Sequence, residues 1–130
     1  MPARIISLLL AISLVALIIS SNADAAAAQE NPAARQMMVK QLEALKTGDY
    51  QKFVENGNKA FKELADTVFR VLEVSWSEEL AKGYHLDYLG AIHRVGMTQY
   101  LWKVIISGSK SEHLGTLTLA DGKIAAFDLD

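Results

Sequence analysis

Cysteine is absent from all 130 residues. That excludes disulfide staples, a thiol nucleophile, cysteine-ligated zinc and a lipid-anchored amino terminus, so stability has to come from packing, assisted by subunit pairing. A surplus of positive charge is also missing. The 13 Lys and Arg stand against 15 Asp and Glu, a net charge of −2, which leaves nothing to neutralise a phosphate backbone and argues against a nucleic-acid partner. No Gly-rich phosphate loop, Ser-His-Asp order or zinc-ligand spacing occurs, so no catalytic residue, metal site or cofactor is assigned from motifs. Long apolar runs are scarce too: the one at residues 5–19 spans about 15 positions, short of the roughly 20 that cross a bilayer.

That run has its own meaning. Arg4 supplies a positive start, 5–19 an uncharged apolar core, and Ala23-Asp24-Ala25 a small-residue cleavage site. Residues 1–25 therefore read as a secretory signal peptide, with an uncleaved anchor as the alternative. Residues 26–30 read as a disordered linker and 31–130 as one domain. Cleavage near Ala25 leaves about 105 residues, enough for one core and not two. The expected location is the periplasm or the exterior, without stable membrane insertion.

Helical signals open the domain. Asn31-Pro32 offers a cap and a first-turn proline, Ala34, Met37, Met38, Leu42 and Leu45 recur at helical spacing, and Thr47-Gly48 stops the run. Asp49 caps a short second helix with Tyr50, Phe53 and Val54 on its apolar side. The Gly-Asp-Tyr junction also occurs in tetratricopeptide hairpins, but nothing recurs about 34 residues later. Asn58 or Asp66 caps a third helix, whose Phe61, Leu64, Ala65, Val68, Phe69, Leu72 and Trp76 share a face until Leu80, with Gly83 as the stop.

Beyond Gly83 the period changes from 3.6 to 2. Residues 84–93, 97–107, 112–119 and 123–129 read as four strands joined by short turns, hence an antiparallel meander. The expected fold class is α+β, with N-terminal helices packed on a curved four-stranded sheet. A three-residue Arg94-Val95-Gly96 loop would pair His93 with Met97 and put Tyr84, Leu86, Tyr88, Gly90 and Ile92 on the inner face with Tyr100, Trp102, Val104 and Ile106. A two-residue loop would swap one strand's faces and bury His85 and Asp87, at a desolvation cost of several kcal/mol. The three-residue loop also sets Asp87 opposite Lys103, an ion pair worth about 0.5 kcal/mol. By the same logic Ala120-Asp121-Gly122-Lys123 is a type I turn with a Gly bulge, aiming Ala125, Phe127 and Leu129 inward. The outer face then keeps Leu89, Ala91, Leu101, Ile105, Leu114, Ile124 and Ala126, more apolar area than a solvated sheet carries.

Several stretches together carry a family likeness. They are Gly48-Asp49-Tyr50 with Phe53, Phe61-Lys62, Gly83-Tyr84 with Tyr88-Leu89-Gly90, Tyr100-Leu101-Trp102-Lys103, and Leu119 with Asp121-Gly122-Lys123 and Phe127. With three helices before the meander, the domain resembles the nuclear transport factor 2-like (cystatin-like) superfamily, in particular its small exported bacterial proteins of unknown function. The resemblance implies a cone in which helices close one side of the sheet, and a homodimer through the outer sheet face, centred on Leu89, Leu101, Lys103, Ile105 and Leu114. Enzymes of that fold place a carboxylate with a Tyr, or a His with an Asp, inside the cone.

The expected cone lining is Tyr50, Trp76, Tyr84, Tyr88, Tyr100, Trp102 and Phe127, with Phe69 and Leu117 beside them and no carboxylate among them. The tyrosine hydroxyls either hold a small apolar or aromatic ligand, or reach the rim while the rings fill the cone. His85, Asp87 and His93 share a strand face. His85 and His93, however, lie roughly 26 Å apart along it, too far for one ion, and His113 sits on another strand. The functional expectation is an exported, non-enzymatic binding or assembly module. The alternatives are an isomerase- or hydratase-like enzyme drawing on Glu43, Asp49 or His113, and a purely structural pairing domain.

Overall fold

The computed structural model describes residues 30–130. The expected signal peptide and all but the last residue of the expected linker lie outside the described residues.

Helix α1 (Pro32–Thr47) starts at its proline and buries Ala34, Met38, Gln41, Leu42, Ala44 and Leu45. It ends at Gly48, whose φ of 70° lets the chain double back so that the Asp49 N–H bonds the Ala44 carbonyl at 2.9 Å. Asp49 then caps α2 (Tyr50–Val54), its carboxylate accepting the Lys52 N–H at 3.0 Å. Helix α3 (Lys59–Ala81) is capped by Asn58, whose side chain accepts the Phe61 N–H at 2.9 Å. Asp66 instead pairs with Arg70 one turn on, at 3.3 Å.

Strands β1 (Tyr84–Arg94), β2 (Met97–Ile106), β3 (Glu112–Ala120) and β4 (Lys123–Leu129) form one antiparallel sheet in the order β1-β2-β3-β4. Pro32–Asp130 make one compact unit. Helix α1 crosses β3 so closely that the Met38 methyl occupies the place where a Cβ on Gly115 would project. The free edge of β4 is partly covered by the chain entering α3: Asn58 N–H bonds the Ile124 carbonyl and Ile124 N–H the Asn56 carbonyl, both at 2.8 Å.

The register beyond the turns is the expected one, but it is reached differently. Arg94 pairs with Met97 across a two-residue Val95-Gly96 turn, and a bulge at Leu89 shifts the ladder so that Tyr88 faces Trp102 and Asp87 faces Lys103. Between turn and bulge the faces are therefore reversed from expectation. Ala91 pairs with Tyr100 on the inner side, and Gly90 and Ile92 turn outward. The β3–β4 turn repeats the device. Asp121 and Gly122, at φ 51° and 74°, form a two-residue turn with both central residues left-handed, in place of the expected type I turn. A bulge at Ala125 then restores Leu117 opposite Phe127. Ile124, expected outside, is fully buried, because it lies between that turn and that bulge.

Candidate functional site

The seven residues expected to line one cavity all belong to the hydrophobic core or pack against it. Phe53 is the hub of the core: its ring lies 5.5 Å from Phe61, 5.1 Å from Phe69 and 5.7 Å from Phe127, the last edge-on. Tyr50 joins at the margin, edge-on to Phe69 at 5.5 Å. Trp102, fully buried, stacks on Tyr100 at 6.0 Å and meets Tyr88 at 5.8 Å. Trp76 stands edge-on to His113 at 4.7 Å. Tyr84 donates its hydroxyl to Glu43 Oε1 at 2.7 Å. Burial, then that hydrogen bond and the Glu43 charge, push the Tyr84 hydroxyl above its ordinary pKa. Tyr84, Tyr88, Tyr100, Trp102 and Phe127 lie on the sheet face the sequence assigned to the helix side, and Phe53, which the sequence did not single out for the lining, packs against Phe127 there.

Each polar residue nominated for interior chemistry has a local task. Glu43 is a third exposed and shared between Tyr84 and Lys46, the latter at 3.6 Å. Asp49 is a helix cap, and His113 supports Trp76. Among the described residues no group of three or more His, Cys, Asp or Glu is placed to hold a metal ion. Gln41 is the one fully buried polar side chain with a free atom among the described residues: its amide donates to the Phe53 carbonyl at 2.9 Å and its Oε1 has no partner.

Two open grooves lie outside the aromatic core. One, about 490 Å³, runs along α1 past Met37, Lys40 and Glu43 to Lys52 and Asn56. The other, about 390 Å³, lies on the outer sheet face between Arg94, Met97, Gln99, Thr118, Ala125 and Ala126. None of the seven aromatic residues lines either groove.

The outer sheet face is the largest apolar surface that the sheet leaves open. Leu89 is 55% exposed, Ile92 44% and Leu114 40%, and Leu101 and Ile105 are half-buried between them. Its polar residues are engaged differently from expectation. Lys103 bonds Glu112 rather than Asp87, and Asp87 accepts His85 Nε2 at 2.7 Å. The hydrogen bond and charge of Glu112 hold Lys103 above its ordinary pKa, with a smaller pull from Asp87. Ile92 and Arg94, both exposed, join this face through the Leu89 bulge, beside Met97, which shares the outward parity of Gln99 and Leu101. The signal that would have revealed them is the broken alternation at Leu89-Gly90-Ala91-Ile92.

No family model matches the chain, and no curated protein does. Among solved structures, the chain is similar to an NTF2-like protein of unknown function from Cytophaga hutchinsonii. That match has 12% identity, covers 75% of this chain and 88% of that one, and has a TM-score of 0.43.

Proposed function

We propose that this is an exported, non-enzymatic assembly module that pairs with a second copy of itself through the outer face of its sheet. The observation that carries this reading is the contrast between the two faces. Inside, Trp102, Phe53, Leu117 and Phe127 pack on one another or on the helices, whereas outside Leu89, Ile92 and Leu114 stand in solvent around Leu101 and Ile105. Export rests on the signal-peptide pattern of residues 1–25.

A second copy suits the face in size and in charge. Four strands about 4.8 Å apart and about 27 Å long present roughly 500 Å² per copy. Doubled, that reaches the roughly 1,000 Å² that a specific contact needs and stays well below the area of obligate dimers, so the pairing is reversible. The face also carries both signs of charge, as a self-complementary surface must.

Sedimentation at micromolar concentration tests the reading. A dimer that Leu101→Glu converts to a folded monomer is the expected result, since a carboxylate at the centre would be desolvated in the contact. A clean monomer at all concentrations, with Leu101→Glu leaving solubility unchanged, would remove the proposal.

A further inference from the structure

The register of the sheet fixes more than the choice of face, because it sets four charges at the lateral edges of that face in two matched rows, with Asp128 and Glu112 at other levels. Level with Met97, the outward residues run Arg94, Met97, Ala120 and Lys123. Level with Lys103, they run Asp87, Lys103, Leu114 and Asp130, the last held by a pair of 3.0 Å backbone bonds to Leu114. The first row ends in a cation on β1 and a cation on β4. The second ends in an anion on β1 and an anion on β4.

Resting on the assembly reading above, we propose that two copies meet about a two-fold axis running across the strands, level with Tyr100. Such an axis reverses strand direction and lays each strand over its own equivalent in the partner. Met97 then falls on the partner's Lys103 level, so that Arg94 meets the partner's Asp87 and Lys123 meets the partner's Asp130, each pair occurring twice. The same rotation sets Ala120 on the partner's Leu114, Thr118 on the partner's Thr116, and Ile92 beside the partner's Leu89. It also lays Leu101 on the partner's Gln99, Met97 on the stem of the partner's Lys103 and Asp128 on the partner's Ala126, so the middle is mixed while the ion pairs close both lateral edges. An axis along the strands does not do this, because it lays Arg94 on the partner's Lys123 and Asp87 on the partner's Asp130, like on like. Glu112 needs no partner charge, since Lys103 answers it within the chain. His85, which faces Ile105 on β2 and binds Asp87 on its own strand, stays at the end of the contact.

The bulges at Leu89 and Ala125 make this arrangement possible. Each restores the inward faces farther along its strand while leaving the turn-side residues in opposite phase, which turns Arg94 and Lys123 outward.

A charge-exchange experiment decides the matter. One variant carries Arg94→Glu with Lys123→Glu, the other Asp87→Arg with Asp130→Arg, and each is checked for folding by circular dichroism. Each alone should be monomeric, its dissociation constant raised at least about tenfold, and an equimolar mixture should form a heterodimer. The unaltered dimer should weaken about tenfold between about 50 mM and about 500 mM salt. If both variants dimerise like the unaltered protein while Leu101→Glu still dissociates it, the two-fold axis proposed here is wrong and the assembly reading stands. If folded variants stay apart on mixing, the axis is equally wrong. If the unaltered protein is monomeric throughout, both fall.

Discussion

Deleting one residue from the middle of a strand ordinarily turns every side chain beyond it to the opposite face. At Leu89 it should not. Tyr88 faces Trp102 and Gly90 faces Leu101, so Leu89 is the residue without a cross-strand partner, and removing it joins two stretches of ladder that are already in phase. The side chain lost is more than half exposed, so its removal forfeits less than half of the roughly 1.5–3 kcal/mol that a fully buried Leu contributes. Against this, one residue fewer has to be ordered, a gain of about 1–2 kcal/mol. The net change is within about 1 kcal/mol, or about 4–8 °C in melting temperature for a domain of this size. Deleting Thr116 supplies the contrast. It too faces outward, but β3 has no bulge against β2, so the strand must shift and drive a side chain into the place where Met38 covers Gly115. That clash, with the loss of the Gly115–Leu129 and Thr116–Asp128 pairings, costs several kcal/mol. Thermal and urea denaturation of the two deletions measure the difference. If loss of Leu89 costs more than about 3 kcal/mol, or if both deletions cost the same, the account of the bulge is wrong.

Three further outcomes test the packing and the electrostatics. Gly115→Ala should destabilise by about 1–3 kcal/mol through overpacking against Met38 and Val104; in a Met38→Ala background the added methyl has room, so urea denaturation of the double-mutant cycle should show a favourable coupling of about 1 kcal/mol or more. Asn58→Ala should cost about 1 kcal/mol because it uncaps α3, whereas Asp66→Ala should change stability by no more than about 0.5 kcal/mol, which chemical denaturation resolves. Tyr84 is held above its ordinary value of 10.0 first by burial and then by Glu43. Because the folded state raises this pKa, the associated stability is present at neutral pH and fades as pH climbs above 10, so Glu43→Gln should move the tyrosinate absorbance transition downward; an unmoved transition would refute the pairing.

Most of the architecture was legible because local signals agreed with one another. The Asn-Pro start, the Gly48 stop, the Asp49 and Asn58 caps and the change to a period of two each left a mark in the residue string, and the element boundaries fall within a residue or so of them. What was not legible was how parity is conserved through the turns. A three-residue loop, and a two-residue turn followed by a bulge, give the same pairing farther along the strand: Asp87 opposite Lys103 and Leu117 opposite Phe127 satisfy both. Hydrophobic alternation tests that parity and nothing else, so it could not distinguish the two routes. The distinguishing signal is local. Ile124 and Phe127 are both inward although three positions apart, a spacing that a regular strand forbids and that one unpaired residue between them supplies. The run Ile124-Ala125-Ala126-Phe127 thus already contained the bulge, as an interval of three in a pattern of two.

The same ambiguity governed the candidate site. With a three-residue loop, Ile92 faces the core and Arg94 belongs to a turn, so the outer face loses an exposed apolar residue and its only cation at the β1 end of the Met97 level. With the turn and bulge that the chain adopts, both join the outer face, and Ile124 withdraws from it into the core. The interior gains an aliphatic residue beside Leu119 while the exterior gains a charge opposite in sign to Asp87, which lies past the bulge on the same strand. Two single-residue insertions therefore give the inner face its packing and the outer face its polarity from one end to the other.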